Sequence, residues 1–268
     1  AGAPAAVQVI AHRGAAATRP ENTLAAFRAA AEAGADWIEL DVQEDAEGRV
    51  VVAHDADFMR LAGSPLKVRE ATAADLAALD IGSWFDPVFA GERAPTLAEA
   101  LAAAGDTPVL IELKHYGHAV ALERRVAETV DAAGAAGRVA AMSLDHASAA
   151  RMKALRPDWR VGLLAATAVG DLTRLEADFL AVAARMATPG FLARARAADQ
   201  PVMVWTVDDP LAMTALASRG AAGLITNDPA LARRVLAERA QMGPTRRLLL
   251  AAAALFGLPS RTAGPAGP

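Results

Sequence analysis

A chain of 268 residues, 54% hydrophobic and 22% charged, is long enough to bury one large core or two small ones. Its formal net charge of −4 excludes the basic excess that a phosphate-backbone binder needs, so nucleic acid is not an expected partner. Without cysteine there is no disulfide, thiolate metal site or cysteine nucleophile, and any metal must be held by oxygen and imidazole ligands.

From the N-terminus, β-branched apolar runs alternate with alanine-rich stretches of helical period, the pattern of repeated β-α units and a parallel sheet. The predicted strands are VQVIA (7–11), WIELDV (37–42), RVVVA (49–53), VLIEL (109–113), VAAMS (139–143), VGLLA (161–165), FLAVA (179–183), VMVWTV (202–207) and GLITN (223–227). Helices are predicted between them at 22–33, 96–104, 119–133, 146–155, 189–198, 210–218 and 229–241. Only six residues separate Val42 from Arg49, whereas a parallel crossover takes a dozen or more. RVVVA must therefore return antiparallel, as a hairpin from the second strand. The other eight strands fit a (β/α)8 TIM barrel with this hairpin at the carboxyl end of the strands; a doubly wound open sheet is the alternative.

Residues 55–95 break the rhythm and read as a cap inserted beside the barrel mouth. The expected organisation is one barrel domain over 1–241, followed at 242–268 by an apolar segment and a flexible tail. Within that last part, Leu248 to Phe256 is about half of the roughly 20 apolar residues that span a bilayer. Preceded by Arg246 and Arg247, it is expected to pack on the body of the protein or to lie on a membrane surface. The chain starts at Ala1, as a processed product or a piece of something longer would, and compartment and oligomeric state are left open.

In such a barrel the chemistry sits at the carboxyl ends of the strands. His12 and Arg13 end the first strand, Glu39 and Asp41 lie two apart in the second, His54 ends the hairpin, and Glu112 and Lys114 close LIELK. Strand alternation puts Glu39 with Asp41, and Glu112 with Lys114, on one face. Carboxylates in an apolar strand need neutralising. Three of them suit a hard divalent ion such as Mg²⁺ or Ca²⁺ rather than zinc; the alternative is a buried ion-pair network with Arg13 and Lys114.

A two-residue turn at Glu47-Gly48 would place His54 opposite Asp41. His12 and His54 suit general acid and base roles, while Arg13 offers a planar fork and Lys114 a point charge for a phosphate. The set points to a phosphoryl substrate. Thr18 and Glu21 of TRPENT match a capping box, with Asn22 as an alternative N-cap. Trp205 either lines the substrate mouth or packs in the core. His115, His118 and His146 read as solvated residues just past strand ends.

The motifs AHRG…RPENTLAAF, GADWIELDV, GRVVVAHD, PTLAEAL, LIELK, VWTVDDP and GAAGLITNDP follow one another in the order and spacing that resemble glycerophosphodiester phosphodiesterases, over about residues 8–235. The resemblance implies a TIM barrel that uses one divalent metal to hydrolyse glycerophosphodiesters to glycerol 3-phosphate and an alcohol. It implies His12 and His54 as the catalytic pair, Glu39, Asp41 and Glu112 as metal carboxylates, and Arg13 and Lys114 as phosphate contacts. Two departures stand out: Asp45 replaces a threonine common before the hairpin turn, and ADFMRLAGSPLKV replaces an RTT-like stretch after His54-Asp55. The altered cap leaves room for a lysophospholipase D or phospholipase-like activity on lipids. A non-catalytic phosphodiester-binding barrel is the remaining alternative. Some relatives are joined to membrane-spanning domains, an association that the apolar segment or a missing N-terminal region would fit.

Overall fold

The computed structural model describes residues 6–117, 120–167 and 170–243. In chain order the strands are β1 (Gln8–Ala11), β2 (Trp37–Glu44), β3 (Val50–Val52), the short pair β4 (Asp57–Phe58) and β5 (Ser64–Lys67), then β6 (Val109–Leu113) and β7 (Val139–Ser143). They continue as β8 (Arg160–Ala165), β9 (Phe179–Ala183), β10 (Val202–Trp205) and β11 (Gly223–Thr226). The helices are α1 (Leu24–Glu32), α2 (Met59–Ala62), α3 (Ala73–Ala78), α4 (Leu97–Ala103), α5 (Leu122–Ala132), α6 (His146–Leu155), α7 (Pro189–Ala197), α8 (Pro210–Arg219) and α9 (Pro229–Gln241).

Eight strands pair in parallel in the order β1, β2, β6, β7, β8, β9, β10, β11, and β11 pairs back onto β1, so the sheet closes into the (β/α)8 barrel. Strand alternation divides its core in two. Ile10, Leu110, Met142, Leu164, Phe179, Met203 and Ile225 fill the interior, while their neighbours in sequence, such as Val9, Ile111 and Leu180, face the helices. Gly162 has no side chain because the Phe179 ring takes its place: a Cβ there would stand 2.1 Å from the ring. Among the described residues, the connection from β8 to β9 carries a 3-10 turn at Leu172–Arg174 and no α-helix.

Helix starts follow local chemistry. Thr188, Asp209 and Asp228 each cap the helix that opens with Pro189, Pro210 or Pro229, because a side-chain oxygen satisfies a free N–H and proline at the first position forfeits none. Thr96 and Glu99 form a capping box at α4.

The hairpin differs from expectation by one residue. Val42 pairs with Val52 and Glu44 with Val50, so Ala53, not His54, lies opposite Asp41, and the Ala53 N–H donates to the Asp41 carbonyl at 3.0 Å. Asp45 is the cause. Its carboxylate accepts from the N–H groups of Glu47 and Arg49 and from Arg49 Nε at 2.7–2.9 Å, closing a three-residue loop that ends on Gly48 at φ 78°. Residues 55–95 form a satellite layer with its own small core of Phe58, Leu61, Val68, Leu76 and Ile81 packed on Val51 of the hairpin.

Candidate active site

The register of β2 and β6 sets Glu39 beside Leu110 and Asp41 beside Glu112, so three carboxylates enter the upper barrel interior from two adjacent strands. Glu39 and Asp41 are 1% exposed and Glu112 5%. One oxygen from each lies within 4.8 Å of the others. Lys114 Nζ reaches Glu112 at 2.7 Å and Asp41 at 3.2 Å, and Arg13 Nε reaches Asp41 at 3.2 Å. The ion-pair network and the convergence of carboxylates are thus both present.

The two cations do not satisfy the cluster. Burial and the neighbouring Asp41 and Glu112 push Glu39 well above the usual carboxylate range. Glu112 is pushed up to about 8, by burial and then by Asp41. Asp41 goes the other way: burial opposes its charge, but Lys114, Arg13 and His54 together hold it well below the ordinary value. Two glutamates that can ionise only against their surroundings, grouped within reach of one point, fit a hard divalent cation with oxygen ligands.

The loop after β1 wraps this centre. Arg13 takes a left-handed backbone conformation, φ 54°, which lets its N–H donate to Glu39 Oε2 at 2.9 Å while Nη1 donates to Glu21 at 2.8 Å. Gly14 is obligatory next to it: at φ +83° a Cβ would lie 2.6 Å from the Ala26 carbonyl carbon. TRPENT is not a capping box. Thr23 is the N-cap of α1, Thr18 bonds back to the Ala15 carbonyl, Asn22 donates to Asp41 Oδ2 at 2.9 Å, and Glu21 is shared between Arg13 and Arg60. Arg13, expected as an open fork, is therefore braced on both sides by carboxylates.

His12 and His54 line one cleft of about 110 Å³ with Arg13, Glu39, Glu112, Lys114 and an apolar wall of Met142, Leu144, Leu164, Trp205 and Ile225. His12 Nδ1 meets Asn227 Oδ1 at 2.8 Å. His54 Nδ1 meets Asp55 Oδ1 at 2.7 Å. The Asp55 carboxylate is held in turn by Arg60 Nε at 2.7 Å, whose other nitrogens grip Glu21 at 2.8 Å. A continuous polar chain thus runs Arg13–Glu21–Arg60–Asp55–His54. Both histidines titrate below the ordinary value, His12 through burial and then Arg13, and His54 chiefly through burial. Trp205 is half-buried in the cleft wall, its Nε1 without a hydrogen-bond partner among the described residues.

Of the remaining histidines, His146 is exposed on α6, whereas His115 is not solvated. Its Nε2 meets Ser148 Oγ at 2.8 Å and Glu123 at 3.1 Å, which ties the loop after β6 to α5 and α6. From the same loop the Tyr116 hydroxyl donates to the His54 carbonyl. His118 and the apolar segment Leu248 to Phe256 lie outside the described residues. Among the described residues no helix is long and apolar enough to cross a membrane. Sequence reasoning missed Asn22, Asp55, Arg60, Asp208 and Asn227, all of which bond to site residues or to their partners.

Fold and site together define a (β/α)8-barrel hydrolase with a cation-competent acidic centre and two histidines at the mouth. The chain belongs to the glycerophosphoryl diester phosphodiesterase family, whose profile matches residues 12–231. A glycerophosphodiester phosphodiesterase of Caldanaerobacter subterraneus subsp. tengcongensis is 33% identical over 228 residues, 82% of this chain and 94% of that one. The crystal structure of a glycerophosphodiester phosphodiesterase from Agrobacterium tumefaciens superposes with a TM-score of 0.73 at 27% identity, covering 85% of this chain and 99% of the other. An Oleispira antarctica phosphodiesterase, solved in complex with its product sn-glycerol-3-phosphate, shares the fold at a TM-score of 0.78 and 24% identity, covering 86% and 96% of the two chains.

Proposed function

We propose that this enzyme hydrolyses glycerophosphodiesters to glycerol 3-phosphate and an alcohol, with Glu39, Asp41 and Glu112 holding one divalent ion and His12 and His54 moving the protons. The observation that carries this reading is the meeting of both histidines with the carboxylate cluster in one cleft. The bound ion, of the Mg²⁺ or Ca²⁺ type, would supply Lewis-acid stabilisation of the phosphoryl charge. Arg13 and Lys114 border the same space and orient the phosphodiester. One histidine accepts the proton of the attacking oxygen while the other protonates the departing alkoxide, so the P–O bond to the alcohol breaks as the new one forms. The attacking oxygen is water, or the adjacent glycerol hydroxyl, in which case water opens a cyclic phosphate in a second step. Trp205 and the apolar wall face the organic part of the substrate.

That wall supports a second reading, hydrolysis of a lysophospholipid, because Leu144 in it is 52% exposed at the cleft edge. Release of glycerol 3-phosphate from glycerophosphocholine, compared with turnover of lysophosphatidylcholine, separates the two. The same assay with chelator, and with His12→Ala and His54→Ala, tests the mechanism. Losses of about 10²-fold or more are expected from each histidine variant; full turnover by either variant refutes the role assigned to that histidine, and full turnover in chelator refutes the role of the ion.

A further inference from the structure

His12 sits at the head of a hydrogen-bonded chain that leads away from the cleft. Its Nδ1 meets Asn227 Oδ1 at 2.8 Å. The amide of Asn227 is gripped from behind by Asp208, which accepts Nδ2–H at 2.7 Å and the Asn227 backbone N–H at 2.8 Å. Asp208 also accepts the Thr226 hydroxyl at 2.9 Å. The frame around the amide is rigid: the Thr226 carbonyl accepts the His12 N–H at 2.8 Å, and the Asn227 carbonyl accepts the Ala17 N–H at 2.9 Å.

The directions of these bonds are determined by what each group can do. A carboxylate only accepts, so the amide turns its NH₂ toward Asp208 and its carbonyl toward His12. A carbonyl also only accepts, so the proton of the neutral imidazole resides on Nδ1. His54 differs in kind, because its Nδ1 is held by a carboxylate rather than an amide.

We propose that Asp208 and Asn227 form a positioning relay that holds His12 in the Nδ1–H tautomer and leaves its Nε2 as the proton-accepting nitrogen offered to the cleft. The inference deepens the proposed mechanism and rests on it for its catalytic consequence, but the tautomer itself is independent of turnover. Asp208 and Asn227 act through His12 and are not assigned to the substrate.

The test uses the full chain labelled with ¹⁵N-histidine, with the His12 resonances assigned by their loss in His12→Gln. In the wild type at mildly alkaline pH, His12 is expected to show a protonated Nδ1 and an unprotonated, pyridine-type Nε2. Asp208→Asn frees the amide to turn over and present NH₂ to Nδ1, so the resonances should move to the reverse or a mixed tautomer. In the same variant kcat on glycerophosphocholine should fall about 10- to 100-fold with KM nearly unchanged. Exchange of the pair, Asp208→Asn with Asn227→Asp, puts a carboxylate acceptor on Nδ1 and an NH₂ behind it. It should restore the tautomer and at least part of kcat, which also controls for a folding defect in the single variant. A wild-type His12 protonated on Nε2 overturns the relay, as does an Asp208→Asn variant whose kcat falls with the tautomer unchanged. Full turnover by His12→Ala would instead refute the catalytic reading and leave the tautomer assignment standing.

Discussion

With no divalent cation at the acidic centre, the stability of this enzyme should fall as the pH rises, against the usual behaviour of carboxylates. Glu39 and Glu112 hold their protons more tightly in the folded chain than unfolded, through burial and then repulsion by Asp41. A group with a raised folded pKa stabilises the fold below its unfolded value and loses that contribution as pH climbs to the folded one. For Glu112 the window runs from the ordinary glutamate value of 4.5 to about 8. At about 1.4 kcal/mol per pH unit this is about 5 kcal/mol in all, of which about 1 kcal/mol falls between about pH 7 and 8, above the range where His12 and His54, held low in the fold, add a slope of opposite sign. Asp41, held low, loses its contribution only in acid, and Lys114, held high, keeps its own throughout, so neither distorts this window. Urea unfolding followed by tryptophan fluorescence at the two pH values, in chelator and in millimolar Mg²⁺ or Ca²⁺, measures the effect. In chelator the protein should be weaker at the higher pH. With the ion, which binds only the ionised carboxylates, the slope should flatten or invert, and Glu112→Gln should remove its share in chelator. Stability in chelator that is flat or rises across the window would refute the electrostatic reading of the cluster.

Arg60→Ala should lower kcat by about tenfold through loss of the brace between Glu21 and Asp55, while shifting the melting temperature little, since the side chain is 42% exposed; unchanged kcat in steady-state assays would deny it a positioning role. Gly14→Ala should cost more than about 2 kcal/mol in urea unfolding, because the new Cβ meets the α1 backbone at a φ that L residues rarely adopt. Gly162→Ala should destabilise by about 1–3 kcal/mol through overpacking against Phe179, and Phe179→Leu in the same chain should recover part of that loss; additive losses would show the ring is not the obstacle.

Most of the barrel was legible because each strand is a short apolar run ended by turn residues, and connection length alone identified the antiparallel hairpin. The register of that hairpin was not legible from Glu47-Gly48, since the decisive group is the Asp45 side chain, which closes a loop one residue wider than the glycine implies. TRPENT failed for a similar reason. The spacing of Thr18 and Glu21 satisfies a local capping rule, yet Glu21 and Asn22 are claimed by Arg13, Arg60 and Asp41 from other elements. Local spacing carries no information about such partners.

Buried acids announce themselves because an apolar strand has no ordinary use for them, so Glu39, Asp41 and Glu112 stand out against their own neighbours. The groups that hold the histidines do not, because Asp and Asn in loops are the commonest turn formers and need no further reason to be there. One signal does separate them. Both VDDP and TNDP carry two consecutive Asp or Asn residues before a proline at the first helical position, and a helix start consumes only one N-cap. Asp209 and Asp228 take that role at α8 and α9. The residue before each, Asp208 and Asn227, is left over by the local chemistry, and these two leftovers bond to each other and on to His12. A doubled Asp or Asn ahead of a helix-opening proline, on neighbouring strands of a barrel, is therefore a place to look for positioning groups that spacing motifs do not name.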